Sequence, residues 1–309
     1  MLALIEVILP VFLVIGFGYV ATWRGYISDF AIDGLMKFVQ NFAIPCLLFL
    51  AISTLDLGQD FDPALLLSFY TGAFAGFLAG LLGARFIFGR PWEDSVAIGF
   101  ASLFSNSLLL GLPITERAFG VDALQGNYAI IAIHVPFCFF LGFVAMEIAR
   151  SKGGGLKRAV RSILKAIVQN ALMIGIALGF IANIFAVPVP GAVADALSLM
   201  ARAALPAALF GLGGVLFRYR PEGDMATIAY ICFVSLVLHP VIVWAMGRAT
   251  GLSVEQFRSA ILTSAMAPGV NAYIFANMFG VAKRVAASAV LMATAMSVIT
   301  VWIWLAILP

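Results

Sequence analysis

The chain has 309 residues, of which 63% are hydrophobic and only 11% charged, and its formal net charge is +3. A water-soluble domain carries about 25% charged residues, so this composition excludes a soluble protein and describes a chain that crosses a membrane many times. No basic stretch is interleaved with aromatics on a polar face, which excludes nucleic acid as a partner. No P-loop, HExxH or CxxC pattern occurs, which points away from ATP-driven transport, and neither a cofactor nor a metal is expected.

Ten apolar runs of about membrane-spanning length follow one another: Leu4–Thr22, Phe30–Thr54, Pro63–Phe88, Ser95–Phe119, Tyr128–Ile148, Ile163–Phe185, Ala192–Phe217, Met225–Ala249, Gln256–Met278 and Val285–Leu308. Met1–Glu6 has no basic region and reads as the start of the first span rather than a signal peptide. The connections are short and carry breakers such as Arg24-Gly25, Asp62-Pro63, Arg90-Pro91 and Pro221-Glu-Gly223. Cys46, Cys138 and Cys232 fall in three different runs without metal spacing and read as packing thiols.

Fourteen of the 18 Lys and Arg residues flank the odd-numbered loops, six of them (Arg150, Lys152, Lys157, Arg158, Arg161 and Lys165) around the fifth. The even loops hold only Arg117, Arg248 and Arg258. Positive charge marks the cytoplasmic side, so the odd loops are expected in the cytoplasm and both termini outside, in the cell (inner) membrane. Arg202 lies within the seventh run and is expected to snorkel toward Asp195, and Glu147 to meet Arg150.

The two halves of the chain resemble each other. Ala43-Ile-Pro-Cys-Leu-Leu-Phe49 aligns with Ala204-Leu-Pro-Ala-Ala-Leu-Phe210, and Phe119-Gly-Val121 with Phe279-Gly-Val281 at nearly the same offset. Five spans per half is odd, so the second half enters from the opposite side. The expected fold is therefore an all-α integral membrane protein, with ten transmembrane helices as two inverted five-helix repeats. Residues 1–150 form the first repeat, 151–162 a cytoplasmic linker and 163–309 the second.

Two runs are wrong for plain spanning helices. In the fourth, Phe104-Ser-Asn-Ser-Leu-Leu-Leu-Gly-Leu-Pro-Ile114 contains Pro113, expected to break the ladder against the Leu109 carbonyl, and Gly111. In the ninth, Ala267-Pro-Gly-Val-Asn-Ala-Tyr273 contains Pro268 and Gly269. Broken helices at matching places in two repeats point to a transporter binding site. If they cross, Asn106 and Asn271 converge, and half-helix N-termini there suit a small carboxylate. Ser105, Ser107, Ser102, Thr263 and Ser264 are lesser contacts. Asn41, one turn before the kinking Pro45, faces either the cavity or the kink. His134 and His239, each beside a proline, are neutral packing groups or carriers of a coupling proton.

Val39-Gln-Asn-Phe-Ala-Ile-Pro-Cys-Leu-Leu-Phe49, Asn106 through Gly111-Leu-Pro113, and Ala267-Pro-Gly-Val-Asn-Ala-Tyr273 with Ala276 make the chain resemble the auxin efflux carrier family, in its bacterial malonate-permease-like branch. The resemblance covers almost the whole chain. It implies a fold like that of bile-acid sodium symporters, with spans 1, 2, 6 and 7 as a scaffold and spans 3–5 and 8–10 as an elevator-type transport domain. It also implies a homodimer through the scaffold, and substrate recognition at Asn106, Pro113, Pro268 and Asn271. One departure is visible: relatives often carry Gly two residues after the first Asn, where Leu108 stands here.

The function read from these residues is secondary active or facilitative transport of a small organic anion, auxin- or malonate-like, by alternating access, with membrane lipid as the surrounding partner. A proton- or sodium-coupled carboxylate symporter is the alternative within transport. An intramembrane hydrolase is the alternative from another class, but no nucleophile motif accompanies the histidines. The orientation is directly testable with single cysteines in a background lacking Cys46, Cys138 and Cys232. Gln59→Cys should react with an impermeant reagent on intact cells and Gly154→Cys should not; the reverse pattern overturns it.

Overall fold

The computed structural model describes residues 2–150 and 170–309, with side chains from residue 6 onward. Among the described residues the protein is helical throughout, with no strand and a single isolated bridge. Seven helical stretches among the described residues are long and apolar enough to cross a membrane. Three are α1 (Leu2–Trp23), α4 (Pro63–Phe86) and α7 (Gln125–Arg150, extended by a 3₁₀ turn from Val121). Two are α9 (Gly191–Arg218) and α14 (Lys283–Ile307). The other two are composite: α2 (Asp29–Phe38) runs on into α3 (Ile44–Ser53), and α10 (Met225–Phe233) into α11 (His239–Thr250). Of the three remaining apolar runs, the sixth is described only as α8 (Ala171–Ile184). Its start, and the whole of the expected 151–162 linker, lie outside the described residues. The fourth and ninth runs are interrupted.

The fourth run contains α5 (Trp92–Leu103), an extended stretch, a wide π turn over Ser107–Gly111, and α6 (Leu112–Phe119). The ninth contains α12 (Val254–Ser264), an extended stretch, and α13 (Val270–Phe279). The interruption of the fourth run thus lies at Phe104–Asn106 and not at Pro113, through which the helix continues. The π turn explains why. Three such turns, Val39–Ala43, Ser107–Gly111 and Val234–Leu238, each end two residues before a proline: Pro45, Pro113 and Pro240. A proline ring collides with the carbonyl four residues back and offers no N–H. Widening the preceding turn to i→i+5 bonding moves those carbonyls aside; Leu112 N–H, for example, donates to the Ser107 carbonyl.

Other groups pair the carbonyls that prolines leave over. The Trp304 Nε1–H donates to the Leu236 carbonyl at 3.0 Å, four residues before Pro240. Arg117 Nη2–H donates at 2.9 Å to the Glu6 carbonyl, four before Pro10, and its Nε–H to the Val7 carbonyl at 2.9 Å.

The chain forms two compact units, each drawing on both halves of the sequence. Within the described residues one takes 2–9, 62–150 and 219–309, and the other 10–61 and 170–218. In the first, α4 lies so close to α5 that a Cβ on Gly99 would stand 2.8 Å from the Phe77 carbonyl oxygen. At one end of this unit Arg90 reaches Asp224 at 3.1 Å, and Arg150 pairs with Glu93 at 3.3 Å rather than with Glu147. Asp224 caps α10, and the Thr227 hydroxyl, donating at 2.6 Å, holds its carboxyl below the usual range.

In the second unit α8 packs on α3, and Asn183 Nδ2 closes the end of α3 by donating to the Ile52 and Leu55 carbonyls at 2.9 and 2.7 Å. Arg218 at the end of α9 pairs with Asp33 at 2.8 Å. Arg202 is exposed, and no ion pair joins it to Asp195 among the described residues. Large apolar side chains such as Phe17, Phe86 and Leu199 stand exposed on the outside, the reverse of a soluble surface and what a lipid solvent requires.

The Trp304 bond gives a prediction. Trp304→Phe leaves the Leu236 carbonyl buried and unpaired, which should cost about 1–3 kcal/mol and lower the melting temperature of detergent-purified protein. In a Pro240→Ala background, where a backbone N–H returns, the same substitution should cost measurably less.

Candidate functional site

The two interruptions meet. Ser105 and Pro268 form an antiparallel bridge. The Asn106 N–H donates to the Ala267 carbonyl at 2.8 Å, and the Gly269 N–H donates to the Phe104 carbonyl at 2.9 Å. The bonds lie on either side of the Ser105–Pro268 pair, so Pro268 occupies the position of an antiparallel ladder that needs no N–H. Two residues of each run therefore satisfy each other where no helix can.

A helix starts immediately after each side of this bridge. Asn106 caps the first, its Oδ1 accepting from the Leu109 N–H at 3.3 Å. Gly269 stands at the start of the second, close enough that a Cβ on it would lie 3.7 Å from the Asn106 Cα. The first-turn N–H groups of Ser107, Leu108, Val270 and Asn271 have no acceptor within their helices, as at any helix start. Two positive helix ends thus meet within a few ångströms and leave in opposite directions. Behind the crossing the rings of Phe100 and Phe275 stack at 4.0 Å and 5° between planes, tying α5 to α13.

Of the residues singled out from the sequence, the crossing brings together Ser105, Asn106, Pro268, Gly269 and, one step into α13, Asn271. Asn106 is buried, and its Nδ2 has no hydrogen-bond partner; the buried Ser105 Oγ also has none. Asn271 is half-buried. Gly111 and Pro113 are buried within the first half-helix, over a turn beyond the bridge, where they shape the helix rather than end it.

His134 stands just behind the bridge, its ring 4.9 Å from that of Phe104, with Cys138 Sγ 3.7 Å from Nδ1. His239 is buried against Phe69, ring centroids 5.6 Å apart, and neither of its ring nitrogens has a partner. Asn41 belongs to the other unit, where it is exposed and borders an apolar groove of about 400 Å³ with Pro45, Cys46, Phe49, Ile174 and Leu178. Among the described residues no cluster of metal-ligating side chains occurs.

Sequence reasoning missed Asn127. Its Nδ2 donates to Thr115 Oγ1 at 3.2 Å and to Thr263 Oγ1 at 2.9 Å, all three side chains being buried. The amide joins α7 to the half-helices on both sides of the crossing, α6 and α12. The signal is a polar amide at the edge of an apolar run: the fifth run starts at Tyr128, whereas α7 begins at Gln125.

The model of the membrane transport protein family matches residues 3–305. The chain belongs to this family. It is the auxin efflux carrier family. Among similar proteins, "Uncharacterized transporter YfdV" of Escherichia coli (strain K12) is 24% identical over 306 residues, covering 96% of this chain and 95% of that one. "Putative malonate transporter" of Rhizobium meliloti (strain 1021) is 23% identical over 305 residues, covering 95% and 92%. An "Uncharacterized transporter" of Methanothermobacter thermautotrophicus is 25% identical over 310 residues, covering 98% of both. Family and apolar helices together make this auxin efflux carrier family member a multi-pass membrane transporter.

The Asn127 node gives a second prediction. Asn127→Leu should lower stability by about 1–3 kcal/mol by leaving two buried hydroxyls unpaired, read as a lower melting temperature of the purified carrier. Adding Thr115→Val and Thr263→Val should recover much of the loss, because no buried polar group is then left without a partner.

Proposed function

We propose that this protein carries a small organic anion across the membrane by alternating access, with its carboxylate held at the crossing. The observation that supports this most is the bridge itself. It sets two helix N-termini side by side, next to an Asn106 amide donor that has no other use. Free N–H groups, two positive helix ends and a buried amide donor form a seat for anionic oxygens, and Asn271 adds a second amide at the start of α13. Ser105 Oγ, also without a partner, completes the set. The printed name of the Rhizobium relative makes malonate the first substrate to test.

In this reading the chain is a ten-span inverted repeat. The matched segments in the two halves and the pairing of the two interruptions favour it. The unit that holds the crossing is the moving transport domain, and the other is the scaffold and the homodimer contact. Pro113 and Gly111 keep the first half-helix open-turned beneath the anion, and Gly269 keeps the second close to Asn106.

Asn106→Ala and Asn271→Ala should each reduce malonate binding by at least tenfold, the equivalent of one lost charge-assisted hydrogen bond of about 1.5–3 kcal/mol, with near-normal yield of folded protein. Thermal stabilisation by malonate measures this; variants that respond like the parent would place the site elsewhere.

Transport is expected to be independent of sodium and to move net charge. The acids nearest in sequence to Asn106 and Asn271, namely Asp94, Glu116 and Glu255, lie near the outer ends of α5, α6 and α12 rather than at the crossing. A second reading, proton coupling, is favoured by the position of His134 directly behind Phe104. Proteoliposomes on a solid-supported membrane separate the two. Current on malonate addition without sodium and at equal pH supports an uncoupled carrier. Current that requires a pH gradient and is lost in His134→Gln supports the second reading, and a sodium requirement refutes both.

A further inference from the structure

The unit that holds the crossing also carries a groove on its outer surface. It has a volume of about 380 Å³ and is lined by Leu81 of α4, Trp92 and Val96 of α5, and Ala145, Ile148 and Ala149 of α7. Every lining side chain is apolar or aromatic, and Ile148 is 73% exposed. The exposed Phe86 and Ile87 continue the apolar surface along α4.

Charged residues stand next to the lining residues, and not all of them are paired. Arg150 pairs with Glu93 at 3.3 Å. Arg90 reaches Asp224 at 3.1 Å and Asp94 at 4.0 Å. Arg85 has no acidic partner among the described residues. Its guanidinium lies 5.2 Å above the Trp92 ring and donates one N–H to the Arg90 carbonyl at 3.1 Å. A guanidinium has five N–H donors in a planar fork suited to phosphate, so most of its donors remain open beside the indole that walls the groove.

An apolar groove with an open guanidinium lying over its tryptophan wall matches a molecule with a hydrocarbon tail and an anionic head. A small soluble anion would gain nothing from the groove, and a neutral lipid would gain nothing from Arg85. We propose that this groove binds an anionic glycerophospholipid, with an acyl chain along α4, α5 and α7 and the headgroup phosphate on Arg85. The site is separate from the crossing and does not depend on which anion the protein carries.

Full-length protein in detergent, incubated with phosphatidylglycerol or phosphatidylethanolamine of identical acyl chains and examined by native mass spectrometry, tests this. The wild type should retain phosphatidylglycerol over phosphatidylethanolamine by about fivefold, the effect of one basic side chain at an anionic membrane surface. Arg85→Gln should abolish that preference and Arg85→Lys should keep most of it. Ala149→Trp, which fills the groove, should reduce retention of both lipids. The arginine pair lies at the surface and decides the matter even if the tryptophan variant does not fold. Equal retention of the two lipids by the wild type overturns the proposal. So does an undiminished preference in Arg85→Gln, or full phosphatidylglycerol retention in folded Ala149→Trp.

Discussion

Two backbone hydrogen bonds, Asn106 N–H to the Ala267 carbonyl and Gly269 N–H to the Phe104 carbonyl, are what the fold around the crossing depends on. In hydrocarbon an unpaired backbone group costs several kcal/mol, so a chain can leave the helix at membrane depth only if something replaces the lost ladder. Each interruption here supplies the other's missing partner. Neither could persist alone, because Ser105 without Pro268's neighbours would expose its flanking amides, and the converse holds equally. The stacked Phe100 and Phe275 rings hold the two runs in the register that these bonds require.

The same demand, that every backbone group be paired, explains features far from the crossing. Prolines in transmembrane helices remove donors and push carbonyls aside. This chain answers in two ways. It widens the turn before Pro45, Pro113 and Pro240, and it brings in outside donors, Trp304 for the Leu236 carbonyl and Arg117 for the Glu6 carbonyl. Eight buried side-chain polar atoms have no hydrogen-bond partner among the described residues. Ser105 Oγ and Asn106 Nδ2 are among them, and both sit at the bridge.

The crossing is also braced from the side. Asn127 bonds Thr115 beyond one interruption and Thr263 before the other, so the two half-helix pairs cannot drift independently. The bracing joins segments on both sides of the bridge to one long helix, α7.

Much of this was legible from local information. Composition and run length decided the membrane class, because burial in lipid acts on every residue of a span alike. The motifs around Asn106 and Asn271 named the family, and Pro268 and Gly269 marked an interruption correctly. Only the tertiary structure decided where the fourth run leaves the helix. Pro113 is the stronger local breaker, yet its collision is relieved by a wide turn, while Ser105, with no local reason to be extended, is held so by a partner far along the chain. Asn127 escaped notice for the same reason: its role lies in two hydroxyls brought to it from other helices. Propensity and hydropathy report what a segment does against a uniform solvent, whereas a break in the membrane is stable only through a specific, distant complement, and that pairing is written in no single stretch of sequence.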